Sequence, residues 1–369
     1  MALTLHGTVT DNQAGILRPR KNITPLYMNG DMAVAQRGTS FASLSSGANQ
    51  TLDRHGFVVN EGTFTVTQDS DVPTGQGFGK SLKVDCTSAD TSISSDGVVQ
   101  VYQRFEGQNL QLLKKGTSSA EYVTIAFWVK SNLAGNFTLE VKDQDNSRLI
   151  ASQVTISSAD TWEKKVVAFP GDTTGALTND NNLSLQVTWW LVAGSDYNSG
   201  TLATSWEAQN NANRAVGNFN LASSTDNEFY LTGVQMEVGQ FDADSIPAFQ
   251  FEDRATNLAR CQRYFERITT SGSGDSFGAG VCFSATQGRV DIRYSTVKRA
   301  NPTITFGSAS DFLLQAGNKS QAPTGLSSAG SSLHGFFCHT TNSGFTVGHG
   351  CVLLDNSTAD ATIDASSDL

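Results

Sequence analysis

FYLTGVQMEVGQFDADSIPAFQFEDRATNLARCQRYFERI, residues 229–268, decides how the chain is read. Phe229, Leu231, Val234, Met236 and Val238 form an apolar strand whose alternation slips once at Gly233, the mark of a β-bulge. Ser245-Ile246-Pro247 breaks the pattern. Asp253 then reads as a helix N-cap, and Leu258, Cys261, Phe265 and Ile268 recur at helical spacing with arginines between them. The spacing predicts a helix over 253–268, the one amphipathic helix of the chain.

On either side the text is β. Strands are predicted at 56–60, 63–67, 81–86, 98–105, 122–131, 137–143, 150–156, 163–170, 183–193 and 228–238. They rest on alternation such as Val123, Ile125, Phe127 and Val129 against Thr124, Ala126, Trp128 and Lys130. Leu185, Val187, Trp189 and Leu191 form another inward row that leaves Trp190 on the opposite face. After the helix, Gly/Ser text at 271–275 leads into shorter strands between 277 and 354. The expected architecture is mainly β: a jelly-roll β-sandwich over 26–252, a linking α-helix over 253–270, and a smaller C-terminal β-sandwich domain over 271–369. No repeat period of a solenoid or propeller is seen.

Charged residues are 16% of the sequence, below the usual share of about a quarter, and the net charge is −10. Turn-forming Gly, Ser, Thr and Asn take the place of charge, as in β-rich extracellular or virion proteins. A chain this acidic does not present the basic face that nucleic acid requires. No apolar run reaches the about 18 residues of a membrane span, so membrane insertion is not expected. The start, MALTLHGTVTDNQ, lacks a signal-peptide pattern, and five cysteines without a CxxC read as buried thiols of a protein made in a reducing cytoplasm.

The 229–268 stretch resembles the segment that closes a β-sandwich in phage tail-fibre and receptor-binding proteins, most nearly those of phages of marine bacteria, cyanophages included. Gly233, Val234, Gln235, Glu237, Gly239, Leu258, Cys261, Arg263, Tyr264 and Phe265 carry the match. Pro247-Ala248-Phe249 stands where the pattern has an uninterrupted Pro-Phe. YMNGDMAVAQRGTSF at 27–41 resembles the opening of the same module, and KRANPTI at 298–304 the strand after its helix. The β architecture also resembles carbohydrate-binding jelly rolls.

These resemblances imply a virion protein, a tail-fibre subunit that helps recognise a host-surface glycan. They imply a homotrimer joined through Leu258, Cys261, Phe265 and Ile268, and attachment to other virion proteins through residues 1–25. Head-fibre or capsid-decoration roles, or a tail-spike depolymerase, stay open as alternatives. The related jelly rolls imply one structural calcium, for which Asn29, Asp31 and Glu237 are the candidate oxygen ligands. The acidic turn at 143–146 holds the same residue types without the order of an EF-hand.

Saccharide rings desolvate well against exposed aromatic faces. Among Trp128, Trp162, Trp189, Trp190, Trp206, Tyr102 and Tyr197, the sequence singles out Trp206 and Tyr197, in the long polar loop 197–225, and Trp190. Cys338-His339 and His349-x-Cys351 offer zinc-type ligands, but adjacent residues on a strand point to opposite faces. No GxSxG, HExxH or P-loop pattern is present, and no enzymatic activity is expected.

Overall fold

A computed structural model describes residues 21–272, 274–356 and 361–369. It divides into two compact units, one running to Arg254 with the addition of Leu369, the other spanning Ala255–Asp368. The attachment segment expected at 1–25 falls mostly on residues 1–20, outside the described residues. Among the described residues no helix is long and apolar enough to cross a membrane.

The first unit is a jelly-roll sandwich of two antiparallel sheets. One sheet has the order Ser40–Leu44, Thr63–Asp69, Ser81–Ser88, Glu228–Val238, Val123–Ser131, Glu163–Phe169. The other runs Glu207–Ala208, Arg148–Ile156, Gly135–Asp143, Leu183–Ala193, Val98–Glu106, Gly56–Val59, Gly47–Gln50. The inward rows meet between them: Val123, Ile125, Phe127 and Val129 from one sheet, Phe137, Leu139, Val141, Leu185, Val187 and Trp189 from the other. Phe127 and Trp189 close the centre edge to face, centroids 5.6 Å apart.

The bulge expected in the decisive strand is present. Pairing of Glu228–Val238 with Val123–Ser131 slips between Thr232 and Gln235. Gly233 takes φ +60° there, and a Cβ on it would lie 2.5 Å from Phe78. Its neighbour also joins the two resembling segments: Val234 N–H donates to the Gly30 carbonyl at 2.9 Å. A Cβ on Gly30 would sit 2.0 Å from the Val234 carbonyl oxygen, so only glycine permits this approach.

The helix is shorter than its spacing predicts. It spans Arg254–Gln262, and Phe265–Thr269 is a strand paired with Thr362–Ser366. Phe265 and Ile268 therefore do not continue the helix face carrying Leu258 and Cys261, which corrects the expected 253–268 element. Cross-strand pairing overrides helical propensity here: Ile268 faces Ile363, and Arg267 clamps Asp364 with 2.6 and 2.7 Å hydrogen bonds. Cys261 and Phe265 are buried already within the single chain, while Leu258 and Ile268 are half-buried.

The second unit is a smaller sandwich. Its three-stranded sheet is Phe265–Thr269, Thr362–Ser366, Thr303–Phe306. Its seven-stranded sheet is Lys319–Gln321, Phe312–Ala316, Gly350–Asp355, Ser276–Ser284, Gln287–Arg293, Gly335–Thr341, Gly325–Ala329. Val290, Ile292, Phe312, Leu314, Phe336, Leu353 and Ile363 fill its core together with the thiols of Cys282, Cys338 and Cys351.

Candidate functional site

Trp190, expected to face outward as a stacking surface, is fully buried. Its Nε1–H donates to Glu140 at 2.9 Å, and Arg214 from the long loop takes the other carboxylate oxygen at 2.7 Å. The Arg214 guanidinium lies 4.8 Å from the Trp190 ring, and Tyr197 packs on that ring at 5.2 Å, itself half-buried. This cluster pins the loop onto the sheet and is a clasp, correcting the expected platform. Trp206 is likewise an anchor. It packs on the main core, donates Nε1–H to the Pro170 carbonyl at 2.7 Å, and lies under the Lys115 ammonium. The cavity beside it, about 20 Å³, has room for one water.

The acidic turn at Asp143 is also committed. Its carboxylate accepts from the Lys115 ammonium and from the side chain of Asn146 at 2.9 Å. Lys115 is shared with Asp172 at 3.0 Å, and all three side chains are almost wholly buried. The ammonium stands where a bound cation would otherwise be needed.

Cys338 points into the core of the second unit and His339, its neighbour, points away from it. Burial pushes the Cys338 thiol up to about 12 and the Cys351 thiol to about 11, so neither offers a thiolate. Among the described residues no three of His, Cys, Asp and Glu group as a metal centre.

Asn29, Asp31 and Glu237 separate into two roles. The Asn29 amide closes its own turn, accepting from Val34 N–H at 2.8 Å and donating to the carbonyls of Val34 and Asp53 at 2.9 Å. Asp31 and Glu237 line a cavity of about 20 Å³ with Glu252, Tyr27, Gln235 and Gln250. Three buried oxygens there lack a hydrogen-bond partner among the described residues: Gln235 Oε1, Gln250 Oε1 and the Tyr27 hydroxyl. The amide nitrogens of the two glutamines are spent on the carbonyls of Pro247 and Ile23, at 2.9 and 2.8 Å. Orphaned amide oxygens beside the Asp31 and Glu237 carboxylates are ligands of the kind a hard cation takes, short of a grouping of three acidic residues among the described residues.

The face of the sheet containing Glu228–Val238 that points away from the core carries an aromatic and charged cluster, with Tyr230 and Lys130 buried and Trp162 and Lys83 half-buried. Tyr230 is in register with Lys83 on one side and Lys130 on the other, so all three share that face. Trp162, one residue before the edge strand Glu163–Phe169, packs on Tyr230 with centroids 6.0 Å apart. Its Nε1–H donates to Asp71 Oδ1 at 2.9 Å, and Asp71 pairs with Lys130. Lys130 lies 4.2 Å from the Tyr230 ring and 5.9 Å from the Trp162 ring. Lys83 pairs with Glu228 at 2.8 Å and Asp85 at 3.2 Å.

Burial and these charges set the protonation states. Burial pushes the Tyr230 phenol to about 12, so it stays a neutral donor. Burial alone would raise Asp71, but hydrogen bonds from Lys130 and Trp162 outweigh it and hold the carboxyl below its usual range. At the nearby bulge, Trp128 and Phe78 adjoin a trio in which Phe78, Phe249 and Phe251 rings lie 4.8–5.2 Å apart. Phe251 is half exposed, at 50%. A separate depression of about 450 Å³, lined by Ser152, Gln153, Thr155, Ser157 and Lys165, holds no aromatic side chain.

Tyr230, Lys130, Lys83 and Asp71 were not singled out by sequence. The signal existed for two of them: the alternation that sends Phe229 and Leu231 inward sends Tyr230 outward, and that of 123–131 does the same for Lys130.

No protein-family model and no curated protein sequence matches this chain. Solved structures that match part of this chain include the following three. The enzymatically active domain of tailspike protein 4 of bacteriophage CBA120 shares 11% identity at TM-score 0.29, over 58% of this chain and 21% of that one. The family 11 carbohydrate-binding module of Clostridium thermocellum, in complex with a β-1,3-1,4-mixed-linked tetrasaccharide, shares 14% at TM-score 0.26, over 56% and 99%. The module TmCBM61 in complex with β-1,4-galactotriose shares 7% at TM-score 0.25, over 58% and 97%. The match thus spans about a fifth of the tailspike chain and nearly the whole of the two modules.

Proposed function

We propose that this chain is a glycan-recognition subunit of a phage virion, a tail-fibre component that contributes to adsorption on the host surface. The observation that carries the glycan reading is the half-buried Trp162, seated on the buried Tyr230 ring, with Lys130, Asp71, Lys83 and Glu228 around it. An aromatic face desolvates the C–H side of a pyranose, and charged groups at its edge bond the equatorial hydroxyls. Both halves are present on a rigid sheet, where strand register fixes their spacing.

The virion reading is supported by the sequence resemblance at 27–41 and 233–265, whose segments meet through Gly30 and Val234. In a homotrimer, three copies of one weak surface would gain affinity through effective concentration. Attachment to other virion proteins is assigned to the N-terminal residues, and labelling of intact particles distinguishes a tail position from a capsid one. Calcium, when bound, would be held by Asp31 and Glu237 with the oxygens of Gln235, Gln250 and Tyr27. It would neutralise their charge and tie residues 25–31 to the closing strand.

The test is binding of the purified protein to arrayed bacterial surface polysaccharides, with Trp162→Ala alongside. The expected result is recognition of at least one saccharide class and a loss of about tenfold or more in the variant. Recognition unchanged by Trp162→Ala would overturn this site, and recognition of no saccharide would overturn the reading.

A further inference from the structure

The second unit exposes an aromatic surface of its own. Along the seven-stranded sheet, Val281, Arg289 and His339 are in register, one from each of three adjacent strands. A register slip between Cys282 and Ser284 displaces Phe283 beside them, and Phe337 follows on the next row, opposite Asp291. Phe283 is 53% exposed, Phe337 40% and Val281 38%. The Arg289 guanidinium stacks 4.1 Å from the Phe283 ring and 5.6 Å from the Phe337 ring.

Arg289 is held but not neutralised. Its Nε–H donates to His339 Nε2 at 3.0 Å. That bond requires the neutral ring, and burial together with the guanidinium charge lowers the His339 pKa to match. The two terminal nitrogens have no partner among the described residues. The acid nearest in register, Asp291, is paired with Arg293 at 2.8 Å. In a chain of net charge −10, this face therefore holds an oriented cation between two rings.

We propose that the Phe283–Arg289–Phe337 surface binds a saccharide bearing a carboxylate, with the rings against the sugar face and the Arg289 terminal nitrogens forked onto the acid. Charge complementarity selects this occupant. A planar guanidinium fixed at Nε presents its far edge in the geometry of a bidentate carboxylate contact, and a purely apolar partner would leave that charge buried and unpaired. The site is separate in residues from Trp162 and Tyr230, so it stands or falls independently of the first surface.

The experiment is calorimetric titration of the full chain with tetragalacturonate, with cellotetraose as the neutral control and sodium sulfate as the bare-anion control. Tetragalacturonate is expected to bind. Arg289→Gln and Phe283→Ala should each weaken it about tenfold or more, and Arg289→Lys less. Both weakened positions are exposed or half-buried on a sheet surface, and unchanged melting temperatures confirm folding. No binding, equal binding by all variants, or equal binding of sulfate alone would overturn the proposal. A fall in solution mass of Phe283→Ala by light scattering would also overturn it, by showing that the face joins copies of the chain.

Discussion

The ammonium of Lys130 lies 4.2 Å from the centre of the Tyr230 ring while its carboxylate partner, Asp71, holds the indole of Trp162 at 2.9 Å. One cation thus positions two rings. Replacing Lys130 with Met should free Trp162 and weaken saccharide binding several-fold, with a stability loss of about 1 kcal/mol because Asp71 remains solvent-accessible. Paired affinity and denaturation measurements check both; a large stability loss with unchanged affinity would reverse the assignment.

Lys115 bridges Asp143 and Asp172 in the interior of the first unit. Lys115→Met leaves the buried Asp143 carboxylate without its cation, while Asp172 keeps Arg148 at 2.7 Å, and should cost about 3 kcal/mol. Adding Asp143→Leu should recover part of that loss. Urea denaturation of the single and double variants measures the coupling.

His55 is completely buried, and burial holds its pKa down to about 3. Its Nδ1 bonds to the Asp53 carbonyl at 3.0 Å, and Nε2 has no partner. The unfolded chain takes up this proton near pH 6.5 and the folded chain does not, so stability falls as pH drops from about 6.5 toward 3, by about 1.4 kcal/mol per unit. The wild type should therefore lose stability between pH 6 and 4 more steeply than His55→Gln, by nearly one proton. Equal slopes would contradict the burial of a neutral imidazole.

The cavity lined by Asp31, Glu237 and Glu252 predicts stabilisation by calcium. At a concentration about 100 times the dissociation constant the gain is about 2.7 kcal/mol. A chelator should reverse it, and Glu237→Gln should reduce it sharply. A melting temperature indifferent to both calcium and chelator would leave the orphaned oxygens to water.

The strands were legible because period-2 alternation is a local property: those expected at 122–131, 137–143, 183–193 and 228–238 stand within two residues of where their apolar rows put them. So was the Gly233 bulge. The helix end was not, because Phe265–Thr269 is a strand only by virtue of Thr362–Ser366, almost a hundred residues away. Site aromatics failed for a related reason. Trp190 does occupy the outward face that alternation assigns, but the loop carrying Tyr197 and Arg214 folds over it, and burial by a distant segment leaves no mark in the local pattern. Trp162, conversely, gains its role from Tyr230 and Asp71, each far from it in sequence.

The most direct test of the account is the affinity of wild type and Trp162→Ala for arrayed surface polysaccharides, measured on preparations of matched melting temperature. The account predicts that the wild type retains at least one saccharide and that the variant binds it about tenfold more weakly or not at all. Equal retention by the two proteins, or none by either, would contradict it.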